Sequence, residues 1–236
     1  MQSRIPRRMF LVLTGGALAA PKLAWTANET PTLLDHILLG CNDLERGIAF
    51  VEERSGVRAA FGGVHPGRGT QNALLSLGER RYLEIIAPDP KQAGVQQFTV
   101  ISGLKEPRLI GWAAHPGDIQ LLAKKLAQAG IASEGPTPGS RKRPDGKMLQ
   151  WKTLRLQDDA KGLLPFFIEW SVDSLHPSAD APKGCSLVRF EAATPDPDSL
   201  AKQTALLGLD RPIAKTDKPQ LRATFGSPKG QFSLTS

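Results

Sequence analysis

The sequence predicts an α+β fold of repeated βαβββ modules, with mostly antiparallel strands and the helices on one face. Three observations predict it: a strand–Asp–helix–Gly phrase occurs three times, its spacing is nearly constant, and each occurrence is followed by short strand-like runs. Asp43 to Gly56 is 13 residues, while Asp118 to Gly130 and Asp196 to Gly208 are each 12. Self-similarity at fixed spacing marks repeated supersecondary units.

The first unit, residues 33–95, opens with the apolar run Leu33-Leu34-Asp35-His36-Ile37-Leu38-Leu39-Gly40. A helix follows from about Asp43 to Arg54, with Leu44, Ile48 and Val51 on one face and a stop at Ser55-Gly56-Val57. The segment Gly62 to Thr70 reads as a glycine-rich loop. Strands are expected at Ala73 to Leu77 and Tyr82 to Ile86, joined by a turn at Gly78-Glu79. The second unit, residues 108–172, repeats the phrase at Leu109 to Ala114. Asp118 caps a helix carrying Ile119, Leu122, Ala123 and Leu126, and strands follow at Leu149 to Leu156 and Leu164 to Trp170. The third, shorter βαββ unit, residues 186–236, has Asp196 or Asp198 as its cap. Its later strands are Leu221 to Phe225 and Gln231 to Leu234. Short connections make the hairpins antiparallel, and each sheet must pack against a neighbour.

The N-terminus reads differently. Arg4, Arg7 and Arg8 precede the apolar run from Met9 to Leu13, as in a secretory signal spanning residues 1–27. Arg7-Arg8-Met9-Phe10-Leu11 carries the twin-arginine export pattern, so a periplasmic or otherwise exported protein is expected. Removing four cations and no acids with that segment takes the formal charge from +7 to +3. That weakens any case for nucleic-acid binding. No apolar run approaches the ~20 residues of a membrane span. Arg141-Lys142-Arg143, in the Pro/Gly-rich stretch Gly135 to Gly146, reads as a solvated surface turn. Cys41 and Cys185 are too few for a disulfide framework and read as free buried thiols.

The unit plan resembles the vicinal oxygen chelate superfamily, which includes glyoxalase I, extradiol dioxygenases and bleomycin-resistance proteins. Leu34 to Leu38, Gly63 to Ala73 and Tyr82 to Pro88 are similar to the glyoxalase-like domain family, and the likeness covers about residues 33–172. It implies that two modules pair into a cupped open barrel around a divalent metal (Zn, Ni, Fe or Mn). On the positions that match, it implies His36 as first-strand ligand, Glu84 as last-strand ligand and Glu169 as its counterpart in the second module. Aligning the two helix caps sets Gly111, which has no side chain to donate, opposite His36.

The residues themselves leave alternatives. His36 serves equally as a metal ligand or as a hydrogen-bonded core histidine. Glu84, amid Tyr82-Leu83-Glu84-Ile85-Ile86, is a carboxylate in a strand fit for burial and needs a metal, a cation or a shared proton. Glu169 repeats that anomaly, so the two are candidate ligands or general bases; a salt bridge to Arg81 or Arg108 is the plain alternative. His65, with Arg68, Thr70 and Asn72 nearby, offers a proton shuttle, a cation and amide contacts for a substrate. Trp112 flanks the expected cup as core or as substrate platform. Gly-x-Ser-x-Gly and phosphate-cradle patterns are absent. Two main readings follow: a metal-assisted lyase, isomerase or dioxygenase acting on a small carbonyl or oxygenated compound, or a metal-free binding module for a small molecule. A third reading uses a free sheet edge of the last unit for homodimer contacts.

Overall fold

The computed structural model describes residues 30–92 and 101–236. The expected signal at 1–27 and the end of the first unit at 93–95 lie outside them. The first unit contains β1 (Leu34–Gly40), α1 (Leu44–Ser55), β2 (Ala60–His65), β3 (Thr70–Ser76) and β4 (Tyr82–Pro88). The second contains β5 (Arg108–Ala114), α2 (Ile119–Gln128), β6 (Ser133–Lys142), β7 (Met148–Leu156) and β8 (Phe166–Trp170). The third contains β9 (Ser186–Thr194), α3 (Pro197–Leu206), β10 (Ile213–Lys215), β11 (Gln220–Ser227) and β12 (Gly230–Thr235).

The helix signals act as the sequence indicates. Asp43 accepts a hydrogen bond from the Arg46 N–H, Asp118 from those of Gln120 and Leu121, and Asp196 from that of Ser199. Each occupies the N-cap, where a carboxylate satisfies donors the helix leaves free. Gly56 follows α1 with φ 76°, the left-handed conformation that closes a helix and that only glycine adopts at little cost.

The first two units join into one curled eight-stranded sheet of order β2-β3-β4-β1-β5-β8-β7-β6. In each, the first and last strands pair in parallel, β1 with β4 and β5 with β8. The antiparallel pair β1–β5 welds the halves together. Side chains alternate along each strand. Ile37, Leu39, Leu83, Ile85, Ala73 and Leu75 face the helices and are fully buried, whereas His36, Asn72, Tyr82 and Glu84 face the hollow side. The sequence-based expectation of a cupped, open α+β barrel thus describes the sheet. The two cysteines are free and buried.

Two segments differ from their sequence reading. Gly62 to His65 belongs to β2, an edge strand bulged between Phe61 and Gly63; its glycines hide a strand that pairs by backbone alone. Ser133 to Lys142 is edge strand β6, despite Pro136 and Pro138, with a bulge between Glu134 and Thr137. An edge strand tolerates proline because one of its sides needs no ladder hydrogen bonds.

The third unit shares the β-α opening but pairs differently. Its sheet has the order β10-β9-β11-β12, and β9 runs parallel to the short strand directly after the helix. A tight βαβ crossover therefore replaces the wider loop of the first two units. Phe190 and Phe225 carry its core and join that of the larger sheet, with Phe190 edge-on to Trp112 at 5.3 Å between ring centroids.

Candidate functional site

The floor of the cup is built around Glu84, 7% exposed, near the middle of β4. One of its oxygens accepts the Asn72 amide N–H at 2.7 Å. The other lies 3.3 Å from His36 Nε2, and His65 Nε2 stands 3.6 Å from the first. Burial alone would push the Glu84 carboxyl up. His36, His65, the Asn72 amide and Arg141 outweigh it and hold the carboxyl below the ordinary carboxylate range.

His36 is held from behind. Its Nδ1 lies 2.7 Å from Asp35 Oδ1, and its ring stacks on Tyr82 with centroids 4.6 Å apart. A bulge between Leu34 and His36 brings these sequence neighbours together. Asp35 has no exposed surface, yet three donors converge on it: His36, the Trp170 indole N–H at 3.1 Å and His176 Nε2 at 3.2 Å. Burial would raise its carboxyl, but the His176 and His36 contacts reverse this and hold it far below the usual range. An ionised Asp35 fixes the His36 proton on Nδ1 and aims Nε2 at Glu84.

His65 is fixed in the same manner. Its Nδ1 is 2.8 Å from Thr70 Oγ1, and the Asn72 amide N–H faces its Nε2 at 3.3 Å. That donor leaves Nε2 as the acceptor. Burial, the largest influence, pushes the imidazole below its ordinary value against the opposing pull of Glu84.

The second half supplies a different wall. Phe166, Ile168 and Trp170 line the deep chamber, of about 80 Å³. Gly111 and Phe166 line a wider outer cavity of about 380 Å³, together with Arg68, Thr70 and Arg155. The sheet thus brings together His36, His65, Glu84, Asn72, Thr70 and Arg68, six of the eight residues singled out from sequence.

Glu169 and Trp112 do not join them. Glu169 Oε2 accepts the Ile119 backbone N–H at 2.9 Å, on the helix side of the sheet. Its strand neighbours Ile168 and Trp170 face the chamber instead, so the expected equivalence with Glu84 is one residue out of step, which in a strand means the opposite face. Trp112 borders the outer cavity, but its ring packs against Phe190 and its indole N–H is taken by Leu163 O at 2.9 Å. It is a core residue.

Sequence reasoning passed over Asp35, Tyr82, Arg141, Arg155 and His176. Asp35 sits in the same apolar run as His36, an equally costly burial, and that was the available signal. Arg141 lies in the stretch read as a solvated turn but is 3% exposed and lines the deep chamber. Its burial follows from a strand that the prolines concealed.

The donors do not fit the divalent metal as arranged. A cation shared by His36, His65 and Glu84 would need the space between them, where the Asn72 N–H already bonds Glu84 and faces His65. Arg141 adds its own positive charge beside Glu84. Among the described residues no three His, Cys, Asp or Glu side chains form a group able to hold a metal ion.

A curled sheet of paired βαβββ modules, with a polar floor on its concave side, defines the vicinal oxygen chelate class. The glyoxalase-like domain family matches residues 34–208, and the chain belongs to that family. Comparison with curated proteins gives no match. Among solved structures, a hypothetical protein from Staphylococcus aureus is similar at 18% identity, covering 79% of this chain and 87% of that one with a TM-score of 0.62, a likeness of fold alone. Methylmalonyl-CoA epimerase from Mycobacterium tuberculosis is similar at 20% identity, covering 59% and 89%, with a TM-score of 0.44. A methylmalonyl-CoA epimerase in complex with methylmalonyl-CoA and NH4+ gives 19%, 61%, 99% and 0.45.

Proposed function

We propose that the chain is an exported enzyme of the lyase or isomerase type that moves a proton on a small carbonyl compound held in the cup. The observation that carries this reading is Glu84: an ionised carboxylate on the chamber floor, bonded by Asn72 and flanked by two anchored imidazoles. Such a group takes a proton from the carbon beside a carbonyl, and the anchored His36 exchanges that proton with it through Nε2. Arg141, whose Nη1 has no partner, supplies positive charge for the enolate oxygen. His65 Nε2 accepts or returns a second proton. Dioxygenase chemistry calls for a redox metal; two histidines and one carboxylate are a donor set that iron accepts, so that chemistry belongs with the metal reading below.

The test is proton exchange. Purified protein is incubated in D2O with small carbonyl compounds, and loss of the C–H signal beside the carbonyl is followed by NMR. Glu84→Gln is expected to lower the exchange rate at least a hundredfold while leaving the fold intact. Equal rates in both proteins overturn the assignment.

A divalent metal on His36, Glu84 and His65 is the second reading, and it requires the Asn72 amide first to turn away from Glu84 and His65. It is favoured by the anchoring of both rings through Nδ1, as behind metal-bound histidines. Calorimetric titration with zinc separates the two, since binding abolished by Glu84→Gln supports the metal. The apolar second wall favours a third reading, a metal-free binding module, in which Glu84→Gln leaves ligand affinity unchanged. Export rests on Arg7-Arg8-Met9-Phe10-Leu11. Replacing both arginines with lysine is expected to retain the precursor in the cytoplasm, and undiminished export overturns that part.

A further inference from the structure

We propose that the compound bound in the cup is an acid, whose oxyanion, a carboxylate or a phosphate ester, is held by Arg68 and Arg155 while its carbonyl end enters the deep chamber. This rests on the acid–base reading of Glu84 for the orientation, but the anion arm stands on separate observations.

The first is the placement of the two arginines. Both line the outer cavity and the deep chamber, at the passage from one to the other. Arg155 lies over the face of Phe166, with its guanidinium carbon 4.6 Å from the ring centroid. Contact with the ring face holds the guanidinium at this passage, and a guanidinium can meet an oxyanion with two parallel hydrogen bonds. Neither side chain is engaged in a hydrogen bond or an ion pair with any described residue.

The second is charge. Burial, and next the nearby Arg68, pull Arg155 below its ordinary value; two cations therefore share one partly dry space. Asp159 is the carboxylate of the outer cavity, and its Oδ1 already accepts the Gly162 N–H. Glu134, paired with Arg155 across the β6–β7 ladder, is exposed. Glu84 is occupied by Asn72 and the histidines. Glu134 and Glu84 attract Arg155 without bonding it, so a neutral occupant would leave the arginine pair with no anion in hydrogen-bond contact.

The third is size and a further cation. The deep chamber, about 80 Å³, admits only a few heavy atoms, and Arg141 brings a buried, unpartnered Nη1 to its wall. A Cβ at Gly63 would come within 2.8 Å of that nitrogen, so glycine is what lets the guanidinium lie there. A carbonyl fits this inner end, and the bulkier oxyanion fits the outer one.

The experiment is calorimetric titration of the purified protein with pyruvate, dihydroxyacetone phosphate and neutral hydroxyacetone. At least one acid is expected to bind, hydroxyacetone is expected to bind at least tenfold more weakly, and binding is expected to weaken with added salt. Comparing the two acids identifies the carboxylate or the phosphate as the group recognised. Arg155→Met and Arg68→Gln are each expected to reduce acid affinity about tenfold or more. Far-UV circular dichroism checks both for folding, and Arg68, in the β2–β3 turn, is the variant that disturbs packing least. Equal binding of hydroxyacetone, or affinity within twofold of wild type in a folded variant, overturns the proposal. Acid binding without deuterium exchange overturns the acid–base reading and leaves the anion arm standing; exchange on hydroxyacetone without acid binding does the reverse.

Discussion

Asp35→Asn is the most informative single perturbation, because it changes one oxygen into an amide nitrogen and nothing in volume. Asp35 accepts from His36, Trp170 and His176 at 2.7, 3.1 and 3.2 Å, with no exposed surface. Hydrogen bonds to a charged group contribute about 1.5–3 kcal/mol each and neutral ones about 0.5–1.5. Removing the charge should therefore cost about 1 kcal/mol per bond, or about 3 kcal/mol in all. For a chain of this size that corresponds to a fall in Tm of about 6–12 °C. Urea unfolding is the assay, with an unchanged slope and a lower midpoint expected. The pH dependence has a definite sign. The folded carboxyl is held below its unfolded value, so the contribution of Asp35 is present above about pH 4 and fades as the pH falls below it. The gap between wild type and Asp35→Asn should thus be full at pH 7 and narrower at pH 3. A gap under about 1 kcal/mol at pH 7, or one that widens in acid, would refute an ionised, triply bonded Asp35.

Two further outcomes follow from the placement of single side chains. Glu169→Ala removes the acceptor of the Ile119 N–H at the start of α2 and should cost about 1 kcal/mol, as the loss of a helix cap does, without altering exchange or acid binding in the cup; abolished binding in a folded variant would return Glu169 to the site. Arg211 is 8% exposed, has no partner on any of its three nitrogens, lies 5.1 Å from the Trp112 centroid, and is pushed by burial down to about 9. Arg211→Met should accordingly leave urea stability at neutral pH unchanged or raise it by about 1 kcal/mol. Wild type should then gain on this variant as the pH rises above about 9, because the unfolded chain holds the proton that the folded one releases. A loss of more than about 2 kcal/mol would show that the ring contact outweighs the unpaired charge.

The parts of the fold written in local chemistry were legible. Asp caps, Gly stops and apolar faces announced α1, α2 and α3, and short strand-like runs bounded by turn residues announced β3, β4, β7 and β8. What the sequence concealed was long-range. β2 and β6 are edge strands whose glycines and prolines look like loop residues, and only pairing with β3 and β7 reveals them. Arg141 was misplaced along with β6. Glu169 shows the sharper limit: it occupies a β8 resembling β4, but a one-residue step decides the face, and no local signal carries that step. Glu84 was legible because a lone carboxylate in an apolar strand needs an explanation wherever the strand lies. His176 was not, because a histidine before proline in a connecting segment shows nothing of a carboxylate 141 positions earlier.

That last pairing bears on how the molecule matures. Trp170 and His176 reach Asp35 from 135 and 141 positions downstream. During synthesis the first module emerges with its acidic floor complete in sequence but lacking two of the three donors that make an ionised Asp35 tolerable inside. Loop closure over such separations is slow compared with forming α1 or the β3–β4 hairpin. The full set of donors that holds Asp35, and through it His36, is thus among the last features to be completed. Proton-exchange activity, once found, would report on completion of the whole fold from β1 to the segment after β8, rather than on the folding of the half that carries the reactive groups.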